Sequence, residues 1–369
     1  MPFSWGPEYD DIGQVFCDLL GDPWCHARKS MMTAQSPVGP GPRGGNVYLR
    51  DYGGQRWPGV PVAIPSKGRE DLLCQQTLKM LSKHNYDMNE VHVFVDGSAV
   101  REDGSNEYDR YYQELRKQGF GMVGLHPGGH DLRGQYARIY QFFAGLQELV
   151  LTTDMVPDIM VKKRPNNVLL QPLQQGMLTT LMRVGFDVCR VTGARAWSLA
   201  SCKEGLNLTA GVISLKCGLL CGNFHGVRLD MGPPPAIVTS NYTTDVEFSL
   251  RCWAETGSMV RFLGIAASHA YRSRGGLSMT ATSQEERQKD TYQAIRQLSE
   301  EFPTLIRTVD RTSSSKARMN YLFSQKGPNP MKFYGTFETR GRKLTTGWRP
   351  LTGKQRVARH RLKKRPARR

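Results

Sequence analysis

No run of this 369-residue chain approaches the roughly 18 uninterrupted apolar residues of a membrane span, which argues against a helical membrane protein. Its first residues, MPFSWGPEYDDIGQVF, carry acids where a signal peptide carries positive charge, and no apolar core follows them. Secretion is therefore not expected. The eight cysteines lack the dense paired spacing of a disulfide scaffold, which fits a reducing compartment. There is no G-x-x-x-x-G-K-[ST] stretch, which argues against a P-loop NTPase, and no G-x-S-x-G nucleophile elbow. Gly119-Phe-Gly121-Met-Val-Gly124 matches G-x-G-x-x-G, but a charged helical segment precedes it and an apolar run follows. A dinucleotide fold needs the opposite order, so this reads as a helix stop before a strand.

Acidic residues are missing from one region. Residues 340–369 hold 13 Lys or Arg and no Asp or Glu, and this stretch accounts for most of the net charge of +17, leaving +4 on the first 339 residues. Such a tail cannot bury apolar surface and is expected to be disordered alone. It suits phosphate binding, with DNA as the expected partner, or import into a nucleus or a virus-associated DNA compartment. A purely solubilising extension is the plain alternative.

The rest of the chain is long enough for one full α/β core with appendages. Residues 1–57 form a Gly/Pro-rich extension with a short helical start near Asp11–Leu20, and 58–310 form the main domain. A C-terminal extension over 311–339 precedes the basic tail at 340–369. Short apolar runs alternate with helical segments in that main domain. Strands are expected at Val60–Ile64, Val91–Val95, Met122–Leu125, Leu149–Thr153 and Met259–Ala267. Helices are expected over Asp71–Lys83, Tyr108–Gln118, Gln135–Leu146, 170–186, Thr244–Thr256 and Gln284–Glu301, with 188–231 rich in strand. This order implies βαβ units, hence an α/β fold whose mixed, mainly parallel sheet is flanked by helices.

Ligands of such sheets sit at the carboxyl ends of the strands, where Pro65, Ser66, Lys67, Arg69, Asp96 and Asp154 emerge. Lys67 and Arg69, with Arg133 and Arg138 near a later helix start, are candidates for phosphate contacts. Asp96 can accept bonds from a base or ribose. Asp154 closes the apolar run LVLTT, and a hard cation such as Mg²⁺ or Mn²⁺ takes one or two carboxylates plus phosphate oxygens. Asp154 is the first candidate ligand and Asp158 a second; a turn-forming Asp is the structural alternative. Asp245 and Glu247 open a helical segment, where acids favour the positive end, or one of them serves as the base for an acceptor hydroxyl. His269 ends the last strand as a late metal ligand or as a structural residue. Cys202, Cys217, Cys221 and His225 have spacing compatible with zinc, yet ISLKCGLLCGNF reads as apolar core.

On VAIPSKGRED, VHVFVDG, LRGQYARIYQFF leading into LVLTTDMVPDI, and DVEFSLRCWAETG leading to SHAYRSRGGLS, the chain resembles the TET-JBP-associated glycosyltransferases. These are nucleotide-sugar transferases of GT-A type, linked to sugar addition on hydroxymethylated DNA bases. The resemblance spans about residues 58–310. It implies a GT-A fold, a UDP-sugar donor carrying glucose, and a nucleotide held by Pro65, Ser66, Arg69 and Asp96. It further implies a metal at Asp154 and His269, and an acidic catalytic position at Asp245 or Glu247. The chain departs from the usual Asp-x-Asp strand end, because Thr152-Thr153-Asp154 supplies one carboxylate. A protein- or glycan-directed N-acetylglucosaminyltransferase-like enzyme, and an inactive nucleic-acid-binding scaffold of the same fold, are the alternatives.

Overall fold

The computed structural model describes residues 59–97, 100, 104–163, 168–200, 208–210, 212–268, 284–309 and 320–323. The N-terminal extension, the basic tail, Cys202 and His269 lie outside the described residues.

The chain enters through β1 (Val62–Pro65) and a helix, α1, built from an α-helical turn at Glu70–Leu72, a π-helical stretch at Leu73–Leu78 and an α-helical close at Lys79–Lys83. There follow β2 (Val91–Val95), α2 (Glu107–Lys117), β3 (Gly124–Pro127), α3 (Leu132–Phe142) and β4 (Glu148–Thr152). The second half holds β5 (Ile159–Val161), β6 (Gln171–Pro172), α4 (Leu178–Thr192), β7 (Ala196–Ala200), β8 (Ile213–Ser214) and β9 (Phe224–Arg228). It closes with α5 (Thr244–Thr256), β10 (Val260–Ala267), α6 (Gln284–Glu301) and a separate antiparallel pair, β11 (Ile306–Val309) with β12 (Asn320–Phe323).

Ten strands form one sheet in the order β3-β2-β1-β4-β9-β7-β10-β5-β6, with β8 beside β10. β3, β2, β1 and β4 are mutually parallel; β9 runs against both β4 and β7, and β10 is parallel to β7. β5 and β8 oppose β10. The architecture is therefore α/β, with a mixed sheet most of whose strands share one direction.

Alternation along the strands decides which helix goes where. Val62 and Ile64 of β1, Val93 and Val95 of β2, and Val150 of β4 share one core with Leu73, Leu78 and Leu81 of α1, Tyr111 of α2 and Leu181 and Phe186 of α4. Ala63, Phe94, Leu149 and Leu151 point the other way, onto Tyr136, Ile139 and Phe143 of α3 and Phe248 and Cys252 of α5. Both strand faces are buried, which is why these strands read as continuous apolar runs. α6 adds an outer layer, seating Ile295 and Leu298 on Val246 and Leu250 of α5.

From β1 the chain first steps through α1 on one face to β2 and β3, then returns through α3 on the other face to β4. The order reverses between β1 and β4. A crevice opens at the carboxyl ends of the strands at such a point.

Several boundaries differ from expectation. α4 starts at Leu178, not near residue 170, because Pro172 is taken into the β5–β6 pair and Gly176, at φ +80, turns the chain before the helix. The helix then runs to Thr192 and ends on left-handed Gly193, which moves the start of the strand-rich region to β7. α3 starts three residues early because the Asp131 side chain accepts the Gly134 N–H as an N-cap. The G-x-G-x-x-G stretch lies, as expected, between a helix end and a strand: α2 closes at Lys117, Gly119 takes φ +80, and β3 begins at Gly124.

Candidate functional site

At the switch point the turn after β1 is tied to the end of β4 by a closed ring of hydrogen bonds. Ser66 Oγ donates to Asp154 Oδ2 at 2.6 Å, and the Tyr111 hydroxyl lies 2.6 Å from Ser66 Oγ. The Arg69 backbone N–H donates to the Tyr111 oxygen at 3.0 Å, and the Arg69 guanidinium pairs with Asp154 Oδ1 at 3.0 Å. Proton direction around the ring is determined, since a carboxylate only accepts. Ser66 must donate to Asp154, so Tyr111 donates to Ser66 and accepts from Arg69. Burial, and then the Asp154 charge, hold the Tyr111 phenol far above its ordinary range, so it keeps its proton.

Gly68, at φ +66, makes the tight turn that brings Arg69 back toward the sheet, and its N–H donates to Glu107 Oε1 at 2.5 Å from the first turn of α2. Asp154 is 2% exposed. Burial raises its pKa above the ordinary carboxylate value, against the opposing pull of Arg69 and Ser66.

One strand over, Asp96 at the end of β2 is equally enclosed. Its Oδ2 takes Lys67 Nζ at 3.3 Å and His130 Nδ1 at 2.8 Å, while Lys67 Nζ also donates to the His130 carbonyl at 3.0 Å. The cluster thus brings Pro65, Ser66, Lys67, Arg69, Asp96 and Asp154 to one edge, together with Tyr111, Glu107 and His130, which sequence reasoning did not single out.

α5 reaches the same edge from the β9 side. Asn223, just before β9, accepts from Thr152 Oγ1 at 2.9 Å and from the Thr153 N–H at 3.2 Å. Its neighbour Gly222 donates its N–H to Asp245 Oδ2 at 3.0 Å. A side chain at Gly222 would collide with the Asp245 carboxylate, so a glycine is needed for this close approach. Burial raises the Asp245 pKa, against the Gly222 N–H and Thr244.

Glu247 behaves differently from its neighbour. It is 0% exposed, and accepts from the Val238 N–H at 2.9 Å, the Thr239 N–H at 2.9 Å, Thr239 Oγ1 at 2.7 Å and Arg251 Nε at 2.8 Å. Burial pushes its pKa up, but Thr239 hydroxyl and amide donors, the Val238 N–H and Arg251 outweigh it, so the net direction is down. This carboxylate pins the 238–239 segment to α5, and its bonding capacity is spent there.

Other expected site residues take partners outside this ring. Arg133 pairs with Asp131 at 3.3 Å and donates to the Val238 carbonyl at 3.1 Å, bracing the α3 cap against the 238–241 segment. Arg138 is exposed, further along α3, and bonds Gln141. Asp158 pairs with Lys83 at 3.1 Å. Cys217 and Cys221 are buried thiols pushed up to about 11 and about 12 by desolvation, and they join no group of three metal-suited side chains among the described residues. His225 is buried between strands and held down to about 4 by its burial.

No group of three His, Cys, Asp or Glu side chains suited to a metal exists among the described residues. Asp154 nonetheless fits a one-carboxylate site for a hard cation. Each of its oxygens accepts one side-chain hydrogen bond and retains a further acceptor direction, and the adjacent Thr153 Oγ1 is buried without a hydrogen-bond partner. No helix among the described residues is long and apolar enough to cross a membrane.

No family model matches the chain, and no curated sequence does. Solved structures align with it only remotely. A mannosyltransferase from Pyrobaculum calidifontis in complex with GDP-mannose and Mn²⁺ is 13% identical, with a TM-score of 0.44 over 84% of this chain and 77% of that one. Glucosyl-3-phosphoglycerate synthase from Mycobacterium tuberculosis in complex with Mn²⁺ and UDP-glucose is 11% identical, with a TM-score of 0.37 over 78% and 93%. A cytidylyltransferase from Leptospira borgpetersenii is 12% identical, with a TM-score of 0.29 over 51% and 67%. Likeness at this level carries no functional inference, and the chemistry has to come from the site itself.

Proposed function

We propose that the protein is a GT-A-type glycosyltransferase that moves a hexose, glucose in the first instance, from a UDP-sugar to a hydroxymethylated base in DNA. The observation that carries the transferase reading is the ring joining Ser66, Tyr111, Arg69 and Asp154 across the β1–β4 switch point, with Lys67 beside it. Two cationic side chains on a rigid turn, facing a strand-end carboxylate, make a place for a diphosphate. The sequence resemblance and the segregated basic tail support the choice of donor and of DNA.

In this reading Lys67 and Arg69 hold the diphosphate and balance the charge that grows on it as the bond from the sugar C1 to its oxygen breaks. Asp245, raised in pKa by burial at the same edge, takes the proton of the acceptor hydroxyl as that oxygen bonds to C1. Glu247 holds the segment beside the site and takes no proton. A Mg²⁺ or Mn²⁺ ion held by Asp154, with His269 as the proposed second ligand, would neutralise the leaving diphosphate when bound. The basic tail holds the DNA and directs the protein to a DNA-containing compartment, the nucleus or its viral equivalent.

The test is transfer from labelled UDP-sugars to duplex DNA carrying hydroxymethyl bases, with Mn²⁺ present. A base-resistant glycoside on the DNA is the expected product. Transfer to a protein or glycan with none to DNA sinks the acceptor assignment. Asp154 is the single carboxylate of the Thr152-Thr153-Asp154 strand end, which favours a second reading as an inactive scaffold. Calorimetry with UDP and Mn²⁺ separates the two, because an inactive scaffold need not bind the donor.

A further inference from the structure

We propose that His130 is the residue by which this site selects its nucleobase, and that it selects uracil over cytosine; the inference rests on the transferase reading. Its imidazole has a side chain 81% exposed, yet its position is fixed at two places. Nδ1 lies 2.8 Å from Asp96 Oδ2, and the backbone carbonyl of the same residue accepts from Lys67 Nζ at 3.0 Å. Asp96 itself is buried and paired to Lys67, so the anchor cannot swing away with the ring. An exposed side chain held this firmly does no packing work that would explain the arrangement.

The anchor determines the ring's chemistry. A carboxylate offers no proton, so Nδ1 carries the hydrogen that bridges to Asp96, and in the tautomer this selects Nε2 is left bare. Nε2 points away from the buried carboxylate, toward solvent. The ring therefore presents a hydrogen-bond acceptor at a fixed place on the strand-end edge.

Topology says which part of the donor meets it. A diphosphate spanning Lys67 and Arg69 leaves one half of the edge to the nucleoside and the other to the sugar. The β4–β9 half holds Asp154 and Asp245, where the sugar must lie for its C1 to meet the acceptor. The nucleoside then falls on the β1–β3 half, where β1, β2 and β3 are adjacent and where His130 and Asp96 stand. Uracil carries a hydrogen on N3 and donates it to a bare ring nitrogen. Cytosine has no hydrogen on N3, and there two acceptors would face each other.

The experiment is calorimetry of UDP, UMP and CDP, each with Mn²⁺, against the full chain and His130→Ala, with the unfolding midpoint of both proteins as a check on folding. The wild type is expected to prefer UDP to CDP by roughly tenfold, the net worth of one hydrogen bond. His130→Ala should lower affinity for UDP and UMP by that same factor and leave CDP unchanged. Equal binding of UDP and CDP by the wild type, or a preference that survives in His130→Ala, overturns the proposal. So does normal UDP binding with reduced turnover in the variant, which would make the ring a catalytic group instead. If the wild type binds no uridine nucleotide at all, the transferase reading falls and takes this inference with it.

Discussion

Replacing Asp154 by Asn should separate stability from function. The carboxylate is 2% exposed and its oxygens meet only Ser66 and Arg69 among the hydrogen bonds described above. Its folded-state pKa is raised, so ionisation is harder in the folded protein than in the unfolded chain. A group shifted this way contributes stability that is fully present below the unfolded value, about 3.9, and is lost as the pH rises through the higher folded value. At neutral pH the ionised Asp154 is therefore a cost that the amide does not carry. Against this stands the loss of a partner for Arg69, which would cost about 3–5 kcal/mol if the guanidinium were left sealed without a counter-charge. The Arg69 side chain keeps 15% of its surface in water, and Asn can still accept from Ser66. The two effects nearly cancel, and Asp154→Asn should shift unfolding free energy at pH 7 by no more than about 1 kcal/mol. Relative to wild type, the variant should gain as pH rises from 3 to 7. Donor binding supported by Mn²⁺, and turnover, should fall by several kcal/mol in apparent free energy, since one carboxylate is the whole described ligand set. Urea titrations at several pH values and calorimetry with UDP and Mn²⁺ read the two quantities. Loss of more than about 3 kcal/mol of stability would make Asp154 a structural brace, and near-normal turnover would show that the cation lies elsewhere.

Glu247→Gln should behave in the opposite way, destabilising by roughly 2–3 kcal/mol because an amide cannot accept from all four donors that meet this carboxylate. Its folded pKa is lowered, so the stability it adds is present above about 4.3 and is lost as pH falls through the folded value; the wild-type advantage in urea melts should shrink on acidification. Deleting residues 340–369 removes 13 positive charges and none of the described site, so UDP binding should persist. Duplex affinity measured over about 50 to 200 mM salt should fall, with a shallower salt slope, and an unchanged slope would deny the tail a DNA-binding role.

Much of the frame was legible in the residues. Thr244–Thr256 and Gln284–Glu301 appear as helices at the expected bounds, because each has local stop signals: Gly257 takes the left-handed cap and Pro303 follows α6. The strands that lead to Pro65, Asp96 and Asp154 were visible because both of their faces are buried, which leaves short apolar runs before the polar strand-end residues. Where Pro172 and Gly176 act through strand pairing and a positive φ, the sequence pattern misled, and α4 came out shifted.

The composition of the strand-end edge is local information, carried by the first polar residues after each apolar run. What each of those residues does there is not. Asp245 and Glu247 are two positions apart on one helix turn, and nothing local distinguishes them. Tertiary packing sends one to Gly222 at the β4–β9 edge and saturates the other with donors from 238–239 and Arg251. Tyr111 enters the ring from 45 residues past Ser66, and His130 meets Asp96 from 34 residues away. Such pairs have no periodicity to read, because they exist only once the sheet has aligned β1, β2 and β4 and brought their ends within hydrogen-bond reach.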